Sequence, residues 1–347
     1  MALWDKIIRS NFLIRLRHWE YWPFGIVQFP LFFYYAWLSL RARSPVFFSA
    51  ANPGIVMGGM FGESKYEVLR KIPQQYVPKT IRISLPVSPQ ALRSVVSEHR
   101  FAFPLICKPD LGEKGFRVSR IATESELTDY LSTTRLDFIV QELIDLPLEF
   151  GVFYARRPSD DKGKVISVVM KEMLAITGNG KDTLRDLILK NDRAKLQWKV
   201  LRDKFCAQLG EIVPAGTRVE LVSIGNHARG TKFLDGSHLI NDHLSSTFDT
   251  ISRQIEGFYF GRFDIRCATL EDLYNGNIKV MELNGCGAEP AHIYDPQYNL
   301  LKAIKVLFIH WRTIFIIARE NVRRGAHYTT WREARMYYKK FRQAVTS

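Results

Sequence analysis

Residues 261–287 read GRFDIRCATLEDLYNGNIKVMELNGCG and carry three oxygen-donor side chains in two β-like runs. Asp264 lies in the first run, and Glu282 and Asn284 lie in the second. Residues i and i+2 of a strand face the same side, so Glu282 and Asn284 are expected to point together. Two carboxylates and an amide oxygen are the donors that Mg²⁺ prefers. The stretch predicts a magnesium site on neighbouring strands, with solvated acidic side chains as the alternative.

A lysine and a glycine loop follow an earlier predicted strand. Residues 103–118 read FPLICKPDLGEKGFRV, in which Lys108 ends the strand and Gly112, Lys114 and Gly115 lie in the loop. Glycine lets backbone N–H groups approach an anion while a lysine neutralises its charge. The spacing of a P-loop is absent. The pattern favours phosphate binding, and a β-hairpin with a charged tip is the alternative.

The segment IVQELIDLPLEFGVFY, residues 139–154, predicts a hinge between two domains. A buried strand leads into residues 141–144, and Glu149 heads the next strand. Two carboxylates, those of Glu142 and Glu149, would then lie near a cleft of the kind that binds small molecules.

The composition places the excess charge at the two ends of the chain. The chain has 347 residues, of which 46% are apolar, and this excludes disordered and collagen-like classes. The formal net charge is +14. Residues 1–45 carry six basic and two acidic side chains, and residues 298–347 carry eleven and two. Because the rest of the chain is nearly neutral, we expect the two basic ends, rather than the body, to contact an anionic surface.

Short apolar runs alternate with charged helical windows, which predicts a mixed α/β (α+β) fold. Residues 46–48, 105–108 and 279–283 are among the predicted strands. Residues 298–347 have apolar side chains at helical spacing and predict a basic, amphipathic helical tail. The four cysteines are isolated from one another and indicate neither a zinc site nor a disulfide framework.

Residues 21–40, YWPFGIVQFPLFFYYAWLSL, form an aromatic, uncharged stretch. Its length would allow a membrane span, but Pro23, Gln28 and Pro30 disfavour a plain spanning helix. Three arrangements stay open: an arm in the membrane interface, an arm packed on the body, and a true span. Arginines on both sides and many aromatic residues favour the interface.

Taken in order, these motifs resemble the ATP-grasp superfamily, which includes D-alanine–D-alanine ligase and glutathione synthetase. The resemblance covers roughly residues 72–296. It implies two α/β subdomains that grip ATP, a lid at residues 79–145 and a catalytic subdomain at residues 146–297. A truncated segment at residues 46–78 precedes them, and the apolar arm at residues 1–45 and the tail at residues 298–347 flank them.

The resemblance implies a role for each motif. Arg262 would stabilise an acyl phosphate, and Asp264, Glu282 and Asn284 would bind two Mg²⁺ ions. Lid lysines and the glycine loop would contact the ATP phosphates, the hinge would contact the adenine, and an acid would hold the ribose. The implied nucleotide-binding residues are Lys79, Lys108, Gly112, Lys114, Gly115, Gln141, Glu142, Leu143, Ile144 and Glu149.

Two later segments are similar to the cyanophycin-synthetase-like branch of that superfamily. KEMLAITGNGKDTLRDLI, residues 171–188, implies that Lys171 and the loop at residues 178–180 contact phosphates. NHARGTKF, residues 226–233, implies that Arg229 lies near the γ-phosphate or the acyl acceptor, with an ordinary surface arginine as the alternative.

The chain departs from the family pattern before the lid. About thirty residues stand where the family usually has a full domain, so the substrate pocket must be built differently. The glycine-rich residues 50–65 could line that pocket, but turns are the favoured interpretation. Beyond the magnesium residues, Glu289, His292 and Asp295 follow; His292 could be a general base, although a structural histidine is favoured.

The resemblance implies an ADP-forming carboxylate–amine ligase that acts through an acyl phosphate and uses ATP and Mg²⁺. The basic ends and the aromatic arm favour a cytoplasmic enzyme, peripheral to the inner face of the membrane, with an envelope- or lipid-linked substrate. The alternative function is a membrane-tethered, ATP-binding regulatory or scaffold module. Nucleic-acid binding by the basic tail ranks below both. The sequence identifies neither the acid, nor the amine, nor the oligomeric state.

Overall fold

Two antiparallel sheets, flanked by helices, form the body of the protein. The computed structural model describes residues 10–112, 117–222 and 230–346. Both sheets consist of short strands separated by helices and turns, so the predicted mixed α/β fold class is confirmed.

The first sheet has four strands in the order β1-β4-β2-β3. These are β1 (Thr80–Ile83), β2 (Leu105–Pro109), β3 (Ser119–Ile121) and β4 (Phe138–Glu142). Leu92 and Leu127, from the two helices that flank β2 and β3 in sequence, are buried with the sheet side chains Leu105 and Phe138. All four side chains are almost fully buried, which makes this sheet a hydrophobic unit of its own.

The second sheet has five strands in the order β11-β10-β5-β6-β9. These are β5 (Leu148–Ala155), β6 (Lys164–Glu172), β9 (Lys232–Asp235), β10 (Phe260–Cys267) and β11 (Lys279–Asn284). Every neighbouring pair is antiparallel. Phe248, on an amphipathic helix, packs edge-on against Phe263 of β10, and its ring centre lies 5.4 Å away. This packing covers one face of the sheet. The other face carries Arg262 and Asp264 of β10, and also Phe153 and Phe260, whose rings pack on His310.

A small lobe is inserted between β6 and β9. It contains β7 (Ala175–Thr177) and β8 (Arg218–Glu220), which pair antiparallel, and three short helices. The first of these helices begins with a capping box. The side chains of Thr183 and Asp186 each accept a hydrogen bond from the backbone N–H group of the other residue.

The helices of the described residues, numbered in chain order, are α1 (Asn11–Arg17), α2 (Phe24–Ala42), α3 (Lys65–Leu69), α4 (Pro89–Glu98), α5 (Glu124–Thr133), α6 (Leu184–Lys190), α7 (Asp192–Leu196), α8 (Trp198–Lys204), α9 (Asp242–Arg253), α10 (Leu270–Asn275), α11 (Leu300–Arg323) and α12 (Trp331–Thr346). The last two occupy most of the predicted helical tail.

The glycine-rich segment is fixed to the end of β11. The N–H groups of Cys286 and Gly287 donate to the carbonyl oxygens of Gly58 and Gly59 at 3.0 and 2.8 Å. Asn52 is fully buried and bridges this segment to β10 through the backbone of Phe260. The segment does form turns, as the sequence predicts, but these turns also cover the strand end that carries Asn284. The predicted strand at residues 46–48 is wrong, since its backbone enters a 3₁₀ turn, Phe47–Ala50.

The aromatic stretch forms one helix, α2, which continues through Pro30. One face packs on α11: the ring centres of Tyr34 and Phe308 lie 4.8 Å apart, and those of Tyr35 and Trp311 lie 4.9 Å apart. Within the described residues, no helix combines the length and the apolar character needed to cross a bilayer.

Candidate active site

Strands β10 and β11 bring the predicted metal ligands together. Their register places Asp264 opposite Glu282 and Arg262 opposite Asn284. The Asn284 amide donates to Asp264 Oδ2 at 3.1 Å. Gly151 on β5 is the partner of Asp264, and a Cβ there would lie 3.0 Å from Cδ of Arg262. Strand pairing gathers the three predicted ligands, and a glycine leaves room beside them.

Two basic side chains neutralise Asp264. The Arg262 guanidinium lies 3.1 Å from the Asp264 carboxylate. Lys171 Nζ lies 3.2 Å from Asp264 Oδ1 and 2.9 Å from Glu149 Oε1. Burial raises the pKa of Asp264, but Arg262 and Lys171 outweigh burial and hold this pKa at about 2. Asp264 is therefore ionised at neutral pH and can hold a cation.

Two further lysines surround Glu282 from the side of the first sheet. Lys65 Nζ lies 3.2 Å from Glu282 Oε1 and also contacts the carbonyl oxygen of Gly112. Lys108 donates to the carbonyl oxygen of Met281 at 3.1 Å. Burial lowers the pKa of Lys108 to about 8, and the carboxylate of Glu282 opposes this shift. The two sheets thus meet at one group of charges. We call this group the lysine–carboxylate cluster: Lys65, Lys108, Glu149, Lys171, Arg262, Asp264, Glu282 and Asn284.

The structure places Lys65, rather than the predicted Lys79, in this cluster. The Lys79 amino group donates to the carbonyl oxygen of Arg100 at 3.0 Å and lies 5.3 Å from the ring centre of Phe101. Lys65 is the first residue of α3, which the side chain of Ser64 caps. The sequence motifs missed Lys65 because it belongs to the glycine-rich segment. The sequence Ser64–Lys65 could have been recognised as a helix start, with the lysine in its first position.

The predicted hinge lies between the two sheets. Gln141 is buried on β4, and its amide donates to the Thr80 hydroxyl at 3.0 Å. Arg266 on β10 donates to the carbonyl oxygen of Ile144 at 2.9 Å and pairs with Glu149 at 2.8 Å. Beside the hinge, a cavity of about 430 Å³ has Lys79, Glu142 and Leu143 in its lining.

The predicted glycine loops are only partly described. Gly112 contacts Lys65 through its carbonyl oxygen, whereas Lys114 and Gly115 lie outside the described residues. Arg229 and Asn226 also lie outside them. Residues 178–180 belong to the small lobe, where Asn179 Oδ1 accepts from the N–H groups of Lys181 and Asp182. These contacts organise a turn within the lobe.

Glu289, His292 and Tyr294 follow the end of β11. The carbonyl oxygen of Glu289 accepts from Arg262 at 3.0 Å, which brings this segment to the edge of the cluster. His292 is buried, and its ring packs edge-on against Tyr298, with the ring centres 5.4 Å apart. Burial lowers the pKa of His292. Across the described ranges, Nδ1 of His292 has no hydrogen-bond partner, so the ring is held by packing and not by the hydrogen bonds expected of a structural histidine.

The donor set fits Mg²⁺ by its chemistry. In the part of the chain that the structure describes, no three His, Cys, Asp or Glu side chains gather as a metal site would require. The predicted set instead combines two carboxylates with an amide, on two paired strands. Hard oxygen donors of this kind suit a cation that keeps several waters and shares phosphate oxygens.

The structure is similar to solved structures of ligases and synthetases. The bifunctional glutathione synthetase from Pasteurella multocida has 14% identity and a TM-score of 0.38, over 71% of this chain and 36% of that chain. The VanG D-Ala:D-Ser ligase from Enterococcus faecalis has 13% identity and a TM-score of 0.42, over 76% and 63%. The D-alanine–D-alanine ligase from Bacillus anthracis has 14% identity and a TM-score of 0.39, over 78% and 70%.

Each of these similar structures is covered only in part by this chain. The chain spans about a third of the first of them and less than two thirds of the second. No protein-family model matches the chain, and no curated protein matches it in sequence.

Proposed function

We propose that the protein is an ATP-dependent carboxylate–amine ligase that releases ADP and phosphate. The observation that carries the proposal is the lysine–carboxylate cluster, in which Lys65 of α3 pairs with Glu282, and Lys171 and Arg262 of the second sheet pair with Asp264. A site that holds cations beside carboxylates suits a polyphosphate. The cations counter the charge of the phosphates, and the carboxylates hold the metal ion that accompanies them.

Each member of the cluster has a proposed role. Lys65, Lys108 and Lys171 contact the phosphates, and Arg262 contacts the acyl phosphate. Asp264, Glu282 and Asn284 would hold Mg²⁺, which when bound supplies charge neutralisation on the phosphate oxygens. The hinge and Glu149 contact the nucleoside. Arg229, Lys114 and Gly115 remain predictions from the sequence.

The proposed reaction has two steps. A carboxylate oxygen of the acid attacks the γ-phosphorus of ATP, the bond to the bridging oxygen breaks, and ADP leaves. The nitrogen of an amine then attacks the carbonyl carbon of the acyl phosphate, inorganic phosphate leaves, and the nitrogen loses a proton. Arg262 and the lysines counter the charge that develops, and closure of the first sheet over the site would exclude water.

The first test is ADP release with Mg·ATP over a panel of amino and sugar acids, with hydroxylamine as the amine. An acyl phosphate is trapped as a hydroxamate. Glu282→Gln keeps the size of the side chain and is expected to abolish hydroxamate formation, while Glu271→Gln, an exposed carboxylate on α10, is expected to keep it. Full turnover by Glu282→Gln would refute the metal assignment. Mg·ATP binding without turnover of any acid in the panel would favour a lipid- or polymer-linked substrate or the regulatory module.

The proposed ligase acts at the cytoplasmic face of an anionic membrane, where an envelope- or lipid-linked substrate would be found. The support is the outer face of α2, where apolar side chains recur every three or four residues. Arg15, Arg17, Arg41 and Arg43 are exposed at the two ends of this region. The exposed apolar residues of this face are Ile26, Phe29, Phe33, Trp37 and Leu40.

Vesicle sedimentation tests the membrane placement. The variant with Phe29, Phe33 and Trp37 changed to serine is expected to lose binding to vesicles that contain anionic lipid. Val200→Ser, which removes an equally exposed apolar side chain from α8, is expected to bind like the wild type. Point variants are preferable to a deletion because Leu31 and Leu38 of α2 are buried in the core. Absence of wild-type binding would exclude this surface.

A further inference from the structure

Gln28 is a polar residue in the apolar stretch of α2, and it is buried. Its amide donates to Glu289 Oε1 at 2.8 Å. The Tyr294 hydroxyl donates to Glu289 Oε2 at 2.6 Å. The N-terminal arm therefore reaches the edge of the lysine–carboxylate cluster and fixes the orientation of one carboxylate there.

Glu289 differs from the carboxylates of the cluster in its partners. Glu149, Asp264 and Glu282 each pair with a lysine or an arginine. The hydrogen bonds to the Glu289 carboxylate come from an amide and a phenol, and among the described residues it forms no ion pair. Burial and the charge of Glu289 both raise the pKa of Tyr294, so that hydroxyl remains a neutral donor.

The carboxylate has acceptor capacity to spare. An ionised carboxylate offers about four lone-pair sites, and Gln28 and Tyr294 use two of them. A half-buried carboxylate whose two hydrogen-bond donors are neutral suits a cationic ligand that donates further hydrogen bonds. A primary ammonium group, with three N–H donors, matches both requirements.

Glu289 also has the right position for the second substrate. Its own carbonyl oxygen lies 3.0 Å from the Arg262 guanidinium, which faces the acyl phosphate in the proposed reaction. A group held by the Glu289 side chain would then lie beside the carbon that the amine attacks. The bound ammonium would first pass one proton to the Glu289 carboxylate, and the neutral nitrogen would then attack.

We infer that Glu289, oriented by Gln28 of the N-terminal arm and by Tyr294, is the binding site for the ammonium group of the amine substrate. This inference rests on the proposed function, because it assigns a substrate group to the same reaction. The N-terminal arm would then line the binding site of the amine. Gln28, the buried polar residue in the apolar stretch, would orient the carboxylate that binds the ammonium group.

The test uses the full chain and ethylammonium chloride as the probe. In the hydroxamate assay, ethylammonium is expected to compete with hydroxylamine, and ethanol, its neutral match in size, is not. Glu289→Gln keeps the shape and removes the charge, and it is expected to raise the inhibition constant of ethylammonium about tenfold, the usual effect of losing one charge-assisted hydrogen bond. The constant is measured in each variant against that variant's own hydroxamate rate. Glu271→Gln is the control.

A second readout does not need turnover. Trp19 packs on Tyr294 with ring centres 5.7 Å apart, so tryptophan fluorescence should report ligand binding at Glu289. Ethylammonium is expected to change this fluorescence in the wild type at lower concentration than in Glu289→Gln.

The outcomes separate the two proposals. Equal competition in the wild type and Glu289→Gln, or no effect of ethylammonium on the wild type in either readout, would overturn the ammonium site. If neither the panel nor a lipid-linked acid gives a hydroxamate while the fluorescence response still depends on Glu289, the ligase proposal fails and the ammonium site stands. Thermal unfolding followed by circular dichroism verifies that Glu289→Gln is folded.

Discussion

At the scale of single residues, the cluster joins charged side chains from distant parts of the chain. Lys65 is attached to a short helix and Glu282 to a strand, and their contact joins segments more than 200 residues apart in sequence. A lysine so placed has little freedom left to lose when it binds a phosphate, so it should contribute more to affinity than a lysine outside the cluster.

We expect Lys65→Ala to weaken Mg·ATP binding by about tenfold or more, the usual worth of a charge-assisted contact. Lys79→Ala should weaken it less, because the Lys79 amino group lies outside the lysine–carboxylate cluster, at the carbonyl oxygen of Arg100. Isothermal titration of the two variants measures the difference. A larger loss of Mg·ATP affinity in Lys79→Ala than in Lys65→Ala would contradict this expectation and would favour Lys79 as a phosphate-binding residue.

His310 gives a prediction about pH. It is buried on α11, with its ring centre 5.0 Å from that of Phe260, and burial lowers its pKa from 6.5 to about 3. Between these two values the unfolded chain binds the proton and the folded chain does not, so the free energy of unfolding falls as the pH falls.

The variant His310→Phe removes this titration and keeps a ring in the core. Urea unfolding at pH values of about 7 and about 5 should show a smaller loss of stability in His310→Phe than in the wild type, by up to about 2 kcal/mol. His238→Phe, at an exposed position, should lose as much as the wild type. An identical pH dependence for all three proteins would contradict the assignment.

At the scale of elements, the glycine-rich segment is built to approach β11 closely. Gly59 has φ of +73°, and a Cβ there would lie 2.7 Å from the Cα of Gly285, next to Asn284, a proposed metal ligand. Both the backbone conformation and the contact require glycine.

Gly59→Ala should therefore lower the free energy of unfolding by about 2 kcal/mol or more, the sum of left-handed strain and a backbone clash. Gly210→Ala is the matched control, because a Cβ at Gly210 meets no atom within 4 Å. Urea unfolding of both variants measures the difference. Equal stability would mean that the segment moves away from β11 at little cost.

At the scale of the whole molecule, the N-terminal arm connects three parts of the protein. It packs on α11, reaches Glu289 through Gln28, and joins the small lobe through an ion pair between Glu20 and Arg193. That ion pair has nitrogen and oxygen 2.7 Å apart, and both side chains are more than nine-tenths buried. The arm thus contributes to the fold as well as to the proposed membrane surface.

Glu20→Gln leaves the Arg193 charge buried without its partner and should cost about 3–5 kcal/mol of stability. The exposed ion pair of Asp203 and Arg202 on α8 provides the control, and Asp203→Asn should cost less than about 1 kcal/mol. Thermal and urea unfolding measure both effects. A small loss for Glu20→Gln would show that the arm is held mainly by its apolar contacts.

The sequence by itself determined the parts of the site that lie within one element. Alternation along strands predicted that Glu282 and Asn284 share a face, and helical spacing predicted the tail helices, because both patterns depend only on local backbone geometry. The resemblance supplied Arg262, Asp264, Lys108 and Lys171, which the structure brings into one cluster.

Tertiary structure alone decided the contacts between distant segments. Lys65 rather than Lys79 faces Glu282, Gln28 reaches Glu289, and the segment around residues 46–48 forms a turn instead of a strand. Neither composition nor periodicity encodes these results. Each depends on the path of the backbone between the partners, which is fixed only when the whole chain buries its apolar surface and satisfies its polar groups together.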